Sequence, residues 1–481
     1  MVSPLIVRNI FFLFRLVLLI FIFQILCQND IIRYIKSQSG GRLVSSVRSK
    51  RTIQYVVPAI LSSMCFIMFT TVDGIFVGRG VGTNGLGAMN LIGPFVMTLS
   101  ALTMMLNMGG VTILAICIGK ADTDGANKVF RHGLFLLVCV SALLSFIGVF
   151  FTDTVCSLLG AGKTFHQMAT DYLFWYSVFI IPSSLSYGLQ IYCRNDGAPG
   201  LVGIATFGST VCNIFGDWLL IFPFHMGIKG AALATGVSQS LGLFVMLTHF
   251  IRKMGVLRFG KTKIEWGLVR EILAHGLPEG ISQLAMPVMT LCMNLVLVSK
   301  IGDIGVNAFG VVVYVASLSM AIFYGASDGL QPLFGQSYGA KNEKDMKFYF
   351  RVGLWICGVG SITVAILVVL LGRPICILFG AGGATLEYIL KILPQFAVGF
   401  IAMAFNVLIS AYLYSTERSF ISTIVSVLRS IVVSSAVILL LPEIFGVSVI
   451  WYTLVIYEAI VLAVAIALLK HSERNGIVFK E

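Results

Sequence analysis

Residues 53–78, IQYVVPAILSSMCFIMFTTVDGIFVG, decide the fold class of this chain. About 20 apolar residues in a helix cross the hydrocarbon core of a bilayer, so this run predicts a transmembrane helix. Its one charged residue is Asp73, near the end of the run. A carboxylate inside a membrane span costs about 2.5–3.5 kcal/mol on insertion scales, which makes Asp73 a functional hypothesis by default.

Eleven further apolar runs of similar length follow and give twelve predicted spans. They cover residues 53–78, 88–118, 130–152, 167–193, 200–222, 228–251, 272–299, 306–338, 348–371, 386–414, 420–441 and 446–469. The longer runs exceed the bilayer thickness, so their helices should bend, tilt or protrude. The sequence therefore predicts an all-α polytopic membrane protein with twelve transmembrane helices.

The composition places the chain in a membrane rather than in water. Hydrophobic residues make up 58% of the 481 residues and charged residues 11%, whereas soluble domains are about half apolar and a quarter charged. The net charge of +12 does not indicate nucleic-acid binding, because the basic residues lie in short polar breaks between apolar runs. The ten cysteines contain no CxxC pair, so we expect no disulfide framework and no zinc or haem site.

The basic residues predict the orientation of the spans. They are richest between spans two and three, six and seven, eight and nine, and after span twelve: Lys120, Lys128, Arg131, Arg252, Lys253, Arg258, Lys261, Lys263, Lys341, Lys344, Lys347, Arg351, Lys470 and Arg474. Cytoplasmic loops carry the excess of Lys and Arg. We therefore expect a multi-pass protein of the plasma membrane with both termini in the cytoplasm.

The chain contains an internal repeat with a single offset. Pro58 matches Pro278, and 278 − 58 = 220. The same offset pairs Gly82, Ala88, Gly109, Gly119, Arg131, Gly133 and the triplet 160–162 with Gly302, Ala308, Gly329, Gly339, Arg351, Gly353 and the triplet 380–382. This register predicts two pseudo-symmetric six-helix bundles.

The repeat sets the predicted domain boundaries. We expect an N-terminal lobe over residues 51–255, a cytoplasmic linker over 256–271, a C-terminal lobe over 272–470 and a cytoplasmic tail over 471–481. Residues 1–50, apolar and then basic, are interpreted as an appendage outside the two lobes. An interfacial helix, a signal peptide and an incorrectly chosen start codon are the alternatives for this segment.

Duplicated bundles are typical of secondary transporters, which bind substrate between two repeats and rock one against the other. Pro58 and Pro278 lie near the starts of spans one and seven, where we predict that they bend the helices; the alternative is that they only begin them. No Gly-rich phosphate loop followed by Lys-Ser or Lys-Thr occurs in the sequence. The energy source is therefore expected to be an ion gradient rather than ATP.

The candidate coupling residues lie in spans one and five. Asn213 and Asp217 are four residues apart, so both project from one face of a helix. With Asp73 they offer two carboxylates and a carboxamide, which suit Na⁺ or a trapped proton. The alternative is structural pairing with Lys or Arg, but no basic residue lies at the same depth in these two spans. The repeat partners, Met293, Val433 and Val437, are apolar, so the polar site is predicted in the N-terminal lobe alone.

Other charges inside spans point less directly to a function. Glu279 follows Pro278 at a predicted helix start, where a carboxylate complements the helix dipole, and we interpret it as structural. Asp328, Arg429 and Glu458 are expected to pair with one another or to line the cavity of the C-terminal lobe. Methionine-rich and phenylalanine-rich stretches favour ordinary packing, although methionine also suits adaptable binding walls.

Several segments resemble the multidrug and toxic compound extrusion (MATE) family, in its bacterial DinF/MepA-like branch. They are the runs from Val72 to Gly78, Arg194 to Gly197, Gly227 to Thr235, and Gly329 to Ala340. The resemblance implies two six-helix lobes around a central cavity. It also implies export of mostly cationic, amphipathic compounds against H⁺ or Na⁺ entry. Its cation site maps onto Asp73, Asn213, Asp217 and Thr235, of which Thr235 enters only through the resemblance.

The predicted function is therefore that of a cation-coupled exporter of small organic molecules. We expect no cofactor apart from the coupling ion, no metal apart from Na⁺, and a monomer whose partners are substrates and the lipid bilayer. The alternative is a flippase for lipid-linked oligosaccharides or polysaccharide precursors, which would need several cavity Arg or Lys residues. An enzyme would need a polar catalytic cluster or a metal motif, and the sequence contains neither.

Overall fold

A computed structural model describes residues 42–162, 166–378 and 382–474, and these ranges are helical with short connections and contain no strand. The helices of the first repeat are α1 Arg42–Gly80, α2 Thr83–Leu91, α3 Gly93–Gly119, α4 Thr123–Phe150, α5 Thr152–Leu158, α6 His166–Val178, α7 Ile180–Asn195, α8 Pro199–Ile221 and α9 Gly227–Ile251. Most of the predicted appendage, residues 1–41, lies outside the described residues, and residues 42–50 form the start of α1.

The second repeat has the same kind of architecture. Its helices are α10 Trp266–Ser282, α11 Ala285–Lys300, α12 Asp303–Gly339, α13 Glu343–Leu370, α14 Gly372–Leu378, α15 Gly383–Ser415, α16 Ser419–Val427, a π-helical turn Leu428–Val432, α17 Val433–Phe445, a 3₁₀ turn Val447–Tyr452 and α18 Thr453–Arg474. Eleven helical segments in the described ranges are long and apolar enough to cross a membrane. The fourth predicted span is divided between α6 and α7, which brings the number of spans to twelve.

Prolines explain why three predicted spans are each divided into two helices. Pro182 lies four residues after Val178, at the break between α6 and α7. Pro287 lies four residues after Gln283, at the break between α10 and α11. Pro94 lies in the first turn of α3, just after the break at residue 92. Proline has no N–H to donate and its ring clashes with the carbonyl four residues back. The predicted spans 88–118, 167–193 and 272–299 thus each contain a break between two helices.

The backbone preserves the 220-residue offset of the sequence repeat. Helices α4 and α13 begin and end 220 residues apart, and so do α5 and α14. The caps match as well, because Asp122 Oδ1 accepts from the Gly125 N–H at 2.8 Å and Asn342 Oδ1 accepts from the Asp345 N–H at 3.1 Å. Each cap satisfies an otherwise unpaired N–H at a helix start. The repeat is therefore a repeat of structure and not only of residue types.

The chain divides into two compact units that do not coincide with the two repeats. Among the described residues, one unit, called the N-unit here, lies within Leu61–Gly280, and the other, the C-unit, comprises residues 42–60 together with those from Ile281 onward. Pro58 and Pro278 lie inside α1 and α10, two residues before each division. Neither proline begins a helix, and their role in bending remains a prediction.

Glycines allow two close helix contacts at equivalent positions. In the N-unit, a Cβ on Gly109 would collide with the carbonyl of Ile272, and one on Gly276 with the carbonyl of Met105. In the C-unit, a Cβ on Gly329 would lie 2.6 Å from the Cα of Val56. Gly329 is the repeat partner of Gly109. In each unit, small residues therefore let the backbones of two helices approach closely.

A buried carboxylate attaches the segment after α9 to the N-unit. Asp196 Oδ1 accepts from the Val256 N–H at 2.8 Å, and Asp196 Oδ2 accepts from the Leu257 N–H at 3.3 Å. His249 Nε2 lies 2.8 Å from Asp196 Oδ2, and both side chains are buried. Removing a buried carboxylate that accepts several hydrogen bonds lowers the stability of the fold, because its former donors are left without an acceptor.

The next part of this segment is attached by α4. Asn127 Oδ1 accepts from the Arg258 N–H at 2.6 Å. His132 Nε2 accepts from the Glu265 N–H at 3.1 Å, while its Nδ1 lies 2.8 Å from the Lys128 carbonyl. This pattern requires the proton on Nδ1. Residues 252–265 are therefore fixed along their length rather than loosely connected.

The Gly109→Ala substitution tests the close contact in the N-unit. The added methyl group would meet the Ile272 carbonyl, and such overpacking typically costs about 1–3 kcal/mol. We expect a lower midpoint in thermal unfolding of the detergent-solubilised protein. Gly208→Ala is the control, because a Cβ at Gly208 meets nothing within 4 Å. Equal midpoints for the two variants would contradict the proposed packing.

The Asp196→Ala substitution tests the attachment of residues 252–265. It leaves the partly buried N–H of Leu257 without its acceptor, at about 1–3 kcal/mol at most, and it removes the exposed hydrogen bond from Val256. We expect faster trypsin cleavage within this segment, measured by mass spectrometry of the fragments. Asp124→Ala, at an exposed position in the first turn of α4, should leave the cleavage rate unchanged. An unchanged rate for Asp196→Ala would show that other contacts hold the segment.

Candidate functional site

Helix α8 presents one polar and one apolar face, and this pattern positions two of the predicted site residues. The apolar face is exposed, as expected for contact with lipid, and carries Ile204, Phe207, Val211, Phe215 and Trp218. The other face carries Thr206, Thr210, Asn213 and Asp217, at spacings that keep them on one side of a helix. Asn213 and Asp217 are both 0% exposed. The polar face of α8 therefore points into the N-unit.

Helix α9 brings Thr235 to this face. Gly216 of α8 lies against Ala234 of α9, where an added Cβ would be 3.0 Å from the Ala234 Cβ. At the same level, Asn213 Nδ2 donates to Thr235 Oγ1 at 3.5 Å. Small residues at the contact thus place a hydroxyl from span six beside the amide of span five.

Asp73 of α1 completes the group from the other side. It is 6% exposed, and its carboxylate lies close enough to Asp217 for the two charges to interact, with the Asn213 amide beside Asp217. The structure thus places the four predicted residues, Asp73, Asn213, Asp217 and Thr235, in one region of the N-unit. Their assignment to ion coupling remains a proposal.

Tyr172 of α6 is a site neighbour that the sequence analysis did not identify. Its side chain is buried, and its phenol interacts electrostatically with both Asp73 and Asp217. Tyr172 lies in the run Tyr172-Leu-Phe-Trp-Tyr176, where aromatic residues are abundant. Aromatic side chains are common in membrane proteins, and only tertiary packing shows which one reaches the carboxylates.

Four acceptor oxygens of this group receive no hydrogen bond from the described residues. Asp73 Oδ1, Asn213 Oδ1 and both carboxylate oxygens of Asp217 are buried and have no hydrogen-bond partner among the described residues. Neither carboxylate forms an ion pair within these ranges. Buried charge is stable only when it is paired or neutralised. The arrangement can therefore hold a proton or a small cation that takes oxygen ligands.

The equivalent positions of the second repeat are apolar. Met293 and Val437 are buried in the C-unit, and Val433 begins α17. The charges of this unit lie elsewhere: Arg429 Nε donates to Glu458 Oε1 at 3.0 Å and to Oε2 at 3.1 Å. Of the three residues expected to pair or to line a cavity, Arg429 and Glu458 form an ion pair.

A sequence model of the family described as MatE matches residues 58–219 and 278–439. The two matched segments are 220 residues apart, as are the repeats. Multidrug export protein MepA of Staphylococcus haemolyticus (strain JCSC1435) is 24% identical over 431 residues, covering 89% of this chain and 94% of that protein. MepA of Staphylococcus aureus (strain bovine RF122 / ET3-1) is 22% identical over 418 residues, covering 85% and 91%.

Solved structures of similar fold agree with the predicted architecture. One is the outward-facing conformation of a multidrug resistance MATE family transporter of the MOP superfamily, with a TM-score of 0.82, 21% identity, and coverage of 89% of this chain and 96% of that one. Another is a mutant of the Vibrio cholerae MATE transporter VcmN, with a TM-score of 0.84, 18% identity, and coverage of 90% and 99%. These neighbours confirm the all-α membrane fold with twelve helices.

The family assignment follows from the extent of the match. The family model covers the first five predicted spans of each repeat, including the positions of Asp73, Asn213 and Asp217. The apolar helices make the chain a multi-pass membrane protein. The chain belongs to the MatE family and is a MATE transporter of MepA type.

Proposed function

We propose that this transporter exports small amphipathic, mostly cationic organic compounds across the plasma membrane in exchange for entering H⁺ or Na⁺. The family and the multidrug export relatives support drug efflux. The distribution of basic residues supports cytoplasmic termini. The protein is proposed to act as a monomer, with the coupling ion in place of a cofactor.

The observation that carries this proposal is the set of buried oxygens without donors in the N-unit. Asp73, Asn213 and Asp217 contribute four such oxygens. Two neighbouring carboxylates in a medium of low dielectric constant repel each other, and burial penalises each charge separately. Both cannot stay ionised without a counter-charge. The empty state therefore favours capture of a proton or Na⁺, shared by the pair rather than assigned to one residue.

Ion capture and substrate binding then oppose each other. An unoccupied pair of carboxylates attracts a cationic substrate, whereas a bound proton or Na⁺ removes part of that negative charge. A ligand can shift an equilibrium only by its different affinity for the two states. Here the difference is electrostatic, and it yields exchange rather than co-transport.

The proposal assigns coupling to one unit. The repeat partners of the site residues have no ionisable side chain, and the charged pair of the C-unit, Arg429 and Glu458, is already neutral as a whole. Protonation of Glu458 would leave the Arg429 guanidinium buried without compensation, which costs several kcal/mol. The C-unit pair is therefore poorly suited to ion coupling, and the N-unit group carries that task.

The Asp217→Asn substitution tests coupling at the N-unit site. The amide keeps the shape of the side chain but cannot take up a proton or neutralise Na⁺. We expect ion-gradient-driven dye export from proteoliposomes to fall to background while dye binding in detergent persists. Asp124→Asn, at the exposed position in α4, should export like the wild type. Normal export by Asp217→Asn would overturn the proposed mechanism.

The Thr235→Val substitution distinguishes the two coupling ions. Na⁺ needs several oxygen ligands, whereas a proton needs only the carboxyl group. With Na⁺ coupling, we expect the Na⁺ concentration for half-maximal export to rise roughly ten-fold, as for one lost polar contact of about 1 kcal/mol or more.

With H⁺ coupling, the pH dependence of Thr235→Val export should stay within about three-fold of the wild type, because no carboxyl group is changed. Thr248→Val is the control, because its hydroxyl donates within its own helix to the Val245 carbonyl at 2.6 Å. If the wild type proves to be driven by Na⁺, an unchanged Na⁺ concentration for half-maximal export in Thr235→Val would exclude Thr235 from the site.

A further inference from the structure

The segment that joins α9 to α10, residues 252–265, is called the connecting segment here and carries a concentration of positive charge. It contains five basic residues and one acidic residue, which are Arg252, Lys253, Arg258, Lys261, Lys263 and Glu265. The carboxylate of Glu265 is compensated, because its Oε2 lies 2.7 Å from Lys128 Nζ of α4. Lys253, Lys261 and Lys263 are exposed and form no ion pair within the described ranges. The surface of the segment is therefore positively charged.

Apolar side chains are exposed between and beside these basic residues. Met254 is 64% exposed, and Trp266, the first residue of α10, is 77% exposed. Val256, Phe259 and Ile264 are exposed as well. A charge-rich loop that is simply solvated has no need of such residues, whereas exposed apolar patches mark contacts with proteins or membranes. Apolar side chains together with lysine and arginine are typical of segments that lie in the membrane interface.

The neighbouring helices place the connecting segment at the lipid-facing edge of the N-unit. The segment follows α9 and precedes α10, and both helices belong to stretches long and apolar enough to cross a membrane. Helix α4, to which the segment is attached, exposes Phe135, Leu143 and Phe146, as expected for a helix in contact with lipid. Tryptophan at a helix end, such as Trp266, is typical of the boundary between membrane and water. Phospholipid headgroups are therefore the expected neighbours of this segment.

The shape of the connecting segment is fixed by its backbone. Leu257 is 0% exposed and anchors the segment in the N-unit. Asp196, Asn127 and His132 accept hydrogen bonds from four of its N–H groups. Arg258 Nη1 donates to two carbonyl groups of the segment itself, at 2.6 and 2.7 Å. These contacts leave the lysine side chains available, and a surface that is ordered beforehand loses less entropy on binding.

Charge complementarity selects the kind of lipid. Each Lys or Arg near an anionic lipid surface strengthens the attraction about five-fold. A zwitterionic phospholipid would contact the apolar side chains but would bring no net charge to the lysines. A soluble acidic protein would complement the lysines but would leave Met254 and Trp266 beside water or would have to displace lipid from them. Only an anionic phospholipid supplies both a negative headgroup and an apolar chain.

We propose that the connecting segment is a binding surface for anionic phospholipids. Headgroup phosphates accept hydrogen bonds from Lys253, Lys261 and Lys263, while Met254 and Trp266 contact the upper part of the acyl chains. The bound lipids hold the connection between the two repeats at the membrane surface. This proposal does not depend on the ion coupling proposed above.

Fluorescence quenching by brominated lipids tests the proposal on the purified full-length protein in nanodiscs. The nanodiscs contain phosphatidylglycerol and phosphatidylcholine in varied proportions, with bromine on the acyl chains of one lipid or of the other. The part of the tryptophan emission that Trp266→Phe removes reports on the connecting segment. We expect phosphatidylglycerol to be preferred over phosphatidylcholine at Trp266 by at least about ten-fold, because several basic side chains act together.

A double substitution with a matched control locates the preference. Lys261→Gln combined with Lys263→Gln removes two exposed charges of the segment and should lower the preference at Trp266 by at least about five-fold. Lys341→Gln combined with Lys344→Gln removes two exposed lysines of the C-unit and should change the preference by less than about two-fold, because these charges lie outside the segment. Thermal unfolding of each variant shows that the protein is folded.

Salt gives an independent check on the same sample. Raising NaCl to about 1 M shortens the range of interactions between exposed charges to about 3 Å, so the preference for phosphatidylglycerol should fall toward equality. The contact of Trp266 with lipid should remain, because it depends on apolar side chains. A preference that is insensitive to salt would show that charge does not create it, which would contradict the proposal.

Three further results would overturn the lipid surface. They are equal quenching of Trp266 by the two brominated lipids in the wild type, an unchanged preference in the Lys261 and Lys263 double variant, and an equal loss in the control variant. Quenching of Trp266 by aqueous iodide but by neither lipid would show that the segment faces water and suits a soluble partner instead. None of these measurements involves export, so their outcome is separate from that of the proposed exporter function.

Discussion

The hydrocarbon core of a bilayer offers no hydrogen bonds, so each polar group placed there depends on the chain itself or on a bound ligand. The helices satisfy the backbone, and many hydroxyl groups donate to a carbonyl one turn earlier, as Thr210 does to Thr206. The acidic group of the N-unit departs from this pattern, because four of its oxygens receive no hydrogen bond from the described residues. Burial among apolar helices excludes water from these oxygens, so leaving them without a donor costs more free energy than it would at the protein surface.

The two repeats share a backbone template and have diverged in where they place charge. Asp217 corresponds to Val437 in the second repeat, and Arg429 corresponds to Ser209 in the first. The positions that carry a charge in one repeat therefore carry a small or apolar residue in the other. One group contains two carboxyl groups and no basic partner among the described residues, and the other pairs an arginine with a glutamate. A shared helical frame therefore holds a group of buried carboxyl groups in one unit and a buried ion pair in the other. The difference lies in a few side chains rather than in the architecture.

Apolar runs and the 220-residue register were enough to predict the spans and the two repeats, and the acidic and amide residues inside spans indicated three of the candidate site residues. The breaks within spans were not predicted, because a proline has different effects in different surroundings: Pro58 stays inside α1, whereas Pro182 follows the end of α6. Tyr172 was missed because an aromatic residue in a membrane span is ordinary until its neighbours are known. The attachment of residues 252–265 was not predictable either, since its acceptors come from α4 and from Asp196 just after α7, far away in sequence.

The contact between Val56 and Gly329 has a consequence for biosynthesis. The beginning of α1 leaves the ribosome early, but the glycine against which it packs follows 329 − 56 = 273 residues later. At about 5–20 residues per second, the interval is on the order of tens of seconds. During this time the segment lies in the membrane or at the translocon without its final neighbour. A polypeptide limited to the first repeat would never supply that neighbour, so the two halves of this duplicated chain have become dependent on each other for completing their folds.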